Sequence, residues 1–249
     1  MLNSIINADC ISVMKDMEDG YIDLCLTDPP YGINLKPNRE GSKFHKTLIE
    51  NDNDLSWVRE FYSELFRVTK NVSYIFCGWS TVDTFMIKAR EAGFIHKNTI
   101  VWDKMHFGMG WNFRPQHEFI LVLCKDKFMT KDHNVPNLLH VKRMHHTKMV
   151  HVAEKPVELL STLIEQASDE GDIIFDPFSG SGSTLVAASK LNRNYIGVEL
   201  DKTHFELARD RLKEQECLLK REQKIQTCPD QEIKMVGGKT EKVATTEEG

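Results

Sequence analysis

Two short stretches hold the residue types that could do chemistry. The first is Asp28-Pro29-Pro30-Tyr31, which follows the apolar run Tyr21-Ile22-Asp23-Leu24-Cys25-Leu26-Thr27. Two consecutive prolines can neither extend a strand ladder nor easily start a helix, so the chain must turn there. An acid and an aromatic ring are thereby held on a stiff corner at a strand's C-terminal end, where open α/β sheets put their sites. Such a corner suits a planar base carrying an exocyclic amino group. That group is a poor nucleophile, because its lone pair is delocalised into the ring. Hydrogen bonds from its N–H groups to the Asp28 carboxylate and the Pro29 carbonyl help it pyramidalise and free the lone pair. Tyr31 offers a flat face for stacking. The plainer alternative is a strand-ending turn that opens on Asp, which is common.

The second stretch is Asp176-Pro177-Phe178-Ser179-Gly180-Ser181-Gly182-Ser183-Thr184, after the strand-like Gly171-Asp172-Ile173-Ile174-Phe175. Gly180 and Gly182 let the backbone approach a ligand closely, as in the first turn of a nucleotide-binding βαβ unit. Glu199 ends the next strand-like run, about twenty residues on, where a carboxylate can take ribose hydroxyls. Asp201 is open to the same role or to capping the last helix. Leu185 stands where a dinucleotide fold has its third glycine, which argues against a nicotinamide-dependent oxidoreductase. Asp176 would repel a pyrophosphate and attract a cation. S-adenosylmethionine carries two cationic groups, an ammonium and a sulfonium.

Elements of alternating type must position these stretches. Strands are expected over 4–7, 21–27, 72–77, 95–102, 118–124, 171–175 and 194–199. Helices are expected over 11–18, 55–69, 80–92, 154–168, 184–190 and 202–224. Residues 32–54 form a long polar loop, and a second loop carries Trp111, Phe113 and Arg114. Residues 125–150 lose apolar content and gain Lys, Arg and His, so they read as a surface insert. The tail over 226–249 is polar and expected to be disordered.

The 249 residues are 41% hydrophobic and 28% charged, enough for a real core. Net charge is −5, so nucleic acid would have to meet local basic segments. The six cysteines are scattered with no Cys-x-x-Cys pair, which points to buried thiols and no metal site. No apolar run reaches membrane-spanning length and the N-terminus is unlike a signal peptide, so a cytoplasmic protein without a membrane partner is expected.

Taken together, Asp-Pro-Phe-x-Gly-x-Gly and Asp-Pro-Pro-Tyr resemble the S-adenosylmethionine-dependent DNA amino-methyltransferases. The catalytic motif comes first and the cofactor motif near the C-terminus, similar to the circularly permuted β group. Asn7-Ala8-Asp9-Cys10, Ser73 to Gly78, His117 to Leu121 and His151-Val152-Ala153-Glu154-Lys155-Pro156 resemble further family segments. Ala8 and Val152 depart from the family pattern. The resemblance implies a Rossmann-like α/β fold over residues 1–225. Its sheet would have seven mostly parallel strands with one antiparallel, the N-terminal strand lying third beside the two from the C-terminal half.

The resemblance also implies a catalytic group of Asp28, Pro29, Pro30 and Tyr31. The cofactor S-adenosyl-L-methionine would be bound by Asp9, Asp28, Lys155, Asp176, Phe178, Ser179, Gly180, Gly182, Ser183 and Glu199. For Asp9 a helix N-cap is the alternative. The implied reaction is methylation of N6 of an adenine flipped out of double-stranded DNA, with cytosine N4 as the alternative. Methylation at cytosine C5 is excluded, because that chemistry uses a cysteine after a proline and none here follows one. The insert at 125–150 sits where the family places target recognition. Implied partners are double-stranded DNA and a cognate restriction endonuclease, with the enzyme a monomer or homodimer.

Overall fold

A computed structural model describes residues 2–31, 55–108, 113–143 and 154–227. The expected loop at 32–54, Trp111, residues 144–150 of the insert, His151, Val152 and Ala153, and the tail beyond 227 lie outside the described residues. In chain order the elements are β1 (Ser4–Asn7), α1 (Cys10–Lys15), β2 (Ile22–Thr27), α2 (Val58–Val68), β3 (Thr69–Cys77), α3 (Val82–Glu91) and β4 (Ile95–Asp103). They continue with β5 (His117–Cys124), β6 (Leu138–His140), α4 (Val157–Ala167), β7 (Ile173–Asp176), α5 (Ser183–Lys190), β8 (Asn194–Glu199) and α6 (Lys202–Thr227). The strand order is β1-β8-β7-β2-β3-β5-β4-β6. Among the described strands only β5 runs against its neighbours, pairing antiparallel with both β3 and β4. β1 lies beside β8, with Asn7 opposite Glu199, so the chain's first strand completes a half-sheet begun near its end.

The strands are apolar on both faces because helices cover both. Along β3, Val72, Tyr74 and Phe76 enter one cluster with α4, α5 and Trp102, while Ile75 and Cys77 enter the other with α1, α2 and α3. β5 alternates likewise, with Ile120 and Val122 on the first side and Leu121 and Leu123 on the second. This two-sided burial gives a near-continuous hydrophobic run and no polar stripe. Each fully buried Leu or Ile contributes about 1.5–3 kcal/mol.

Two findings refine the expected sheet. The eighth strand, β6, comes from within the insert, which therefore does not lie wholly on the surface. It pairs parallel with β4, and Asn137 O accepts the Val101 amide at 2.7 Å. The buried Trp102 indole donates to Val141 O at 2.8 Å, so the insert also satisfies a core donor. The second finding concerns the glycine missing from α5. Leu185 fills that place, and the glycine stands in β8: a Cβ on Gly197 would lie 2.4 Å from Leu185 Cδ1. Close helix–strand approach is thus achieved with bulk in the helix and none in the strand.

Candidate active site

β2 and β7 are adjacent and parallel, so the two motifs emerge side by side at their C-terminal ends. The Thr27 hydroxyl, last in β2, donates to Asp176 Oδ1 at 2.6 Å and ties the ends together. Immediately after Thr27 the Asp28 side chain remains 20% exposed. Tyr31 Oη donates to Asp28 Oδ1, and the Lys155 ammonium donates to Asp28 Oδ2. Lys155 Nζ also lies 3.3 Å from Glu118 Oε2, and Lys104 Nζ lies 3.2 Å from Glu118 Oε1. Lys155 is nearly buried, with its ammonium 5.0 Å from the centre of the Phe76 ring.

Two carboxylates and two ammonium groups thus share one small volume. Burial pushes the Asp28 carboxyl up, and the Glu118 charge adds to this against the pull of Lys155. Burial alone would lower Lys155, yet the facing Asp28 and Glu118 carboxylates hold its ammonium above the ordinary lysine range. Glu118 is raised by burial but held net below the usual range by Lys155 and Lys104.

The glycine turn is built around Asp176, which is buried and also accepts from the Phe178 amide at 3.2 Å. Ser179 Oγ donates to Asp176 O at 2.8 Å, and the Ser179 amide donates to Val198 O at 2.9 Å. Gly180 and Gly182 take left-handed backbone, with φ of 50° and 77°. A Cβ at Gly182 would lie 3.1 Å from Ala208 Cβ, so this glycine lets α6 approach the turn. The Phe178 ring packs against Trp57 and Phe61 of the α2 region, at 5.2 and 5.3 Å. Ser183 Oγ accepts from Arg211 at 3.0 Å, on the α6 side of the turn.

Glu199 Oε2 accepts the Gly180 amide at 2.8 Å, and Oε1 accepts the Asp201 amide at 2.9 Å. Asp201 Oδ1 accepts the His204 amide at 2.8 Å, the geometry of an N-cap for α6. Asp9 caps α1, accepting the Ser12 amide at 2.8 Å. Asp9, Asp176, Glu199 and Asp28 thus follow or end four of the strands at one edge of the sheet, an acidic rim suited to cations.

Burial pushes the Asp176 carboxyl up to about 6, against the hydrogen bonds it accepts. Its folded value lies above the unfolded one near 4, so ionisation opposes folding. The penalty is absent below about pH 4 and complete above about pH 6, where it reaches roughly 3 kcal/mol. Asp176→Asn is therefore expected to stabilise the protein by about 1–2 kcal/mol at pH 7 and not at pH 4. Urea unfolding at the two pH values checks this; equal effects at both would assign the change to packing.

The described basic residues of the insert divide between the two edges of the sheet. Because β5 runs antiparallel, Lys125 and Lys127 follow its end at the edge away from Asp28. There Lys125 N donates to Asn71 O at 3.0 Å. Lys131 bonds Ser168 O and Asp169 beyond α4, again away from Asp28. Lys142 and Arg143 follow β6 at the Asp28 edge, where the Arg143 amide donates to Lys104 O at 3.1 Å. The loop between β4 and β5 reaches out from the same edge, with Phe107 and Phe113 exposed. Arg114 is fixed there by a 2.7 Å bond to Gly108 O.

Three site residues escape a reading of the motifs alone. Glu118 and Lys104 lie far from Asp28 in sequence: the antiparallel β5 brings Glu118 to it at its start, while Lys104 arrives at the end of β4, which runs in the same direction as β2. The available signal was a charge heading an otherwise apolar strand run, His117-Glu118-Phe119-Ile120-Leu121-Val122-Leu123-Cys124. Arg211 has no such signal; it lies in a charged helix, yet it pairs with Glu154 at 2.8 Å and holds Ser181 and Ser183.

Residues 22–210 match a family described as DNA methylase. The putative methylase YubD of Escherichia coli (strain K12) is 32% identical over 213 residues, spanning 85% of this chain and 90% of that protein. The structure of the M1.HpyAVI–SAM complex aligns with a TM-score of 0.60 at 25% identity, over 84% of this chain and 98% of the other. The cytosine-N4-specific PvuII DNA methyltransferase aligns at 0.66 over 85% and 90% of the two chains; its 15% identity makes this a likeness of fold.

Proposed function

We propose that this chain, which belongs to the N6/N4 DNA methylase family, methylates the N6 amino group of an adenine flipped out of double-stranded DNA. S-adenosylmethionine is the methyl donor. When bound, it supplies an electrophilic methyl group on a sulfonium. The acidic rim fits such a cationic ligand: Asp9, Asp176 and Glu199 stand at the C-terminal ends of β1, β7 and β8, beside a turn in which Gly180 and Gly182 take left-handed backbone. Glu199 would take the ribose hydroxyls, Asp9 the adenine amino group of the cofactor, and the turn at 178–183 the remainder. These residues hold the ligand; the chemistry is done at the neighbouring corner.

The observation that carries the reading is the placement of Asp28. It stands one strand from the glycine turn, tied there through Thr27 and Asp176, and its carboxylate stays partly exposed. Tyr31 and Lys155 each bond one oxygen of its carboxylate, and each oxygen keeps a further lone pair for the target amino group. As the nitrogen attacks, positive charge develops on it, and Asp28 and the Pro29 carbonyl stabilise its N–H groups. No covalent enzyme intermediate is needed. The opening Asp of the corner favours adenine N6, since Ser in that place leans towards cytosine N4.

Transfer of tritiated methyl groups to unmethylated genomic DNA, followed by nucleoside analysis, tests the reading. N6-methyladenine is expected. N4-methylcytosine would keep the mechanism and change the base, and no incorporation would sink both. Glu199→Ala is expected to weaken cofactor binding at least about tenfold, from loss of charged hydrogen bonds of about 1.5–3 kcal/mol. Equal affinities by calorimetry would remove Glu199 from the cofactor site.

A further inference from the structure

We infer that Glu118 is a positioning residue for this reaction, holding Lys155 and Tyr31 so that Asp28 keeps the electron density the target amino group needs. The inference rests on Asp28 as the acceptor of that group. β5 is antiparallel, so its first residues meet the last residues of β3 and β4, beside the Asp28 corner. Glu118 thus reaches the corner from a neighbouring strand. Its Oε2 lies 3.3 Å from Lys155 Nζ and 3.4 Å from Tyr31 Oη, the two groups that bond Asp28. Its Oε1 is held by Lys104 at 3.2 Å.

The charges explain why a second acid is useful there. Lys155 has a side chain only 9% exposed and divides its ammonium between Asp28 and Glu118. Without the Glu118 charge, Asp28 is the sole counter-ion of Lys155 in the cluster. The ammonium then polarises the Asp28 carboxylate more strongly, and that carboxylate becomes a poorer acceptor for the amino group. Glu118 does not touch the base in this scheme; it acts through Asp28. With Glu118 in place the two carboxylates and two ammonium groups balance.

A double-mutant cycle in the full-length protein tests this, reading single-turnover methyl transfer to DNA at saturating cofactor. Glu118→Gln is expected to lower the rate about tenfold, with cofactor affinity changed less than about twofold. On an Asp28→Asn background, where the carboxylate charge is already gone, the same change is expected to cost less than about twofold. A wild-type rate in Glu118→Gln overturns the inference. So does an equal tenfold loss in both backgrounds, which is what structural damage would give. Should the amide variant not fold, Glu118→Asp withdraws the carboxylate by one methylene and is expected to lose about threefold, again only when Asp28 is intact. Equal losses in both backgrounds overturn the proposal there too. The wild-type control separates the layers: a wild-type protein that transfers no methyl group refutes the proposed function itself.

Discussion

Asp28→Ala is expected to cut methyl transfer by about a hundred- to a thousandfold while cofactor binding survives. That is the usual loss when one preorganised hydrogen-bonding group is removed from a reacting centre. The expectation follows from position. Asp23 and Asp28 bracket the same strand, but Asp23 is held by Lys70 and the Ile173 amide at the other end of β2. Only Asp28 is locked by Pro29 and Pro30 next to the glycine turn. Its removal also leaves Lys155 with Glu118 alone, so Asp28→Asn should accompany it, keeping the shape without the charge. Tyr31→Ala should in addition lose stacking of about 1–3 kcal/mol. Single-turnover transfer together with cofactor calorimetry checks the set. An Asp28→Ala protein working near the wild-type rate would refute the assignment of Asp28.

The parts of this site that could be read from sequence are those written in consecutive residues. The Pro-Pro corner and the glycine turn carry their own backbone constraints, and the apolar runs before them predict strands whose ends must meet. Register and pairing partners are not written that way. Nothing near Asp28 in the chain signals Glu118 or Lys104: the approach of Glu118 depends on β5 running against the sheet, and that of Lys104 on β4 pairing beyond β5. The same reversal sends Lys125 and Lys127 to the far edge, although composition groups them with Lys142 and Arg143. Gly182 was legible as a glycine that a ligand approaches closely; the close neighbour in the fold is a helix. That this neighbour is Ala208 of α6 depends on how the last helix packs. β6 was missed because three residues, Leu138-Leu139-His140, are too few for a periodic pattern, and their strand character comes from the open edge of β4.

Lys155 is where electrostatics and stability meet, and Lys155→Met is expected to destabilise the protein by about 3–5 kcal/mol at neutral pH. Methionine fills a similar volume against Phe76 and Trp102, so lost packing accounts for little of this. The cost arises because Asp28 and Glu118 remain close together with only Lys104 to offset them. Their folded pKa values then rise well above the unfolded range near 4. The sign follows: groups raised on folding are penalised once the pH exceeds the unfolded value, and the penalty is complete above the folded one. The variant should therefore regain much of its stability relative to wild type as the pH falls towards about 4, where both raised acids are protonated in the folded variant and about half protonated in the unfolded chain. Asp28→Asn added to Lys155→Met should restore about 1–2 kcal/mol at neutral pH, because one of the two uncompensated charges is removed. Urea unfolding of the single and double variants at about pH 7 and pH 4 supplies the measurement. A deficit that is the same at both pH values, and untouched by Asp28→Asn, would mean that Lys155 serves the core through its shape and that the ion cluster contributes little.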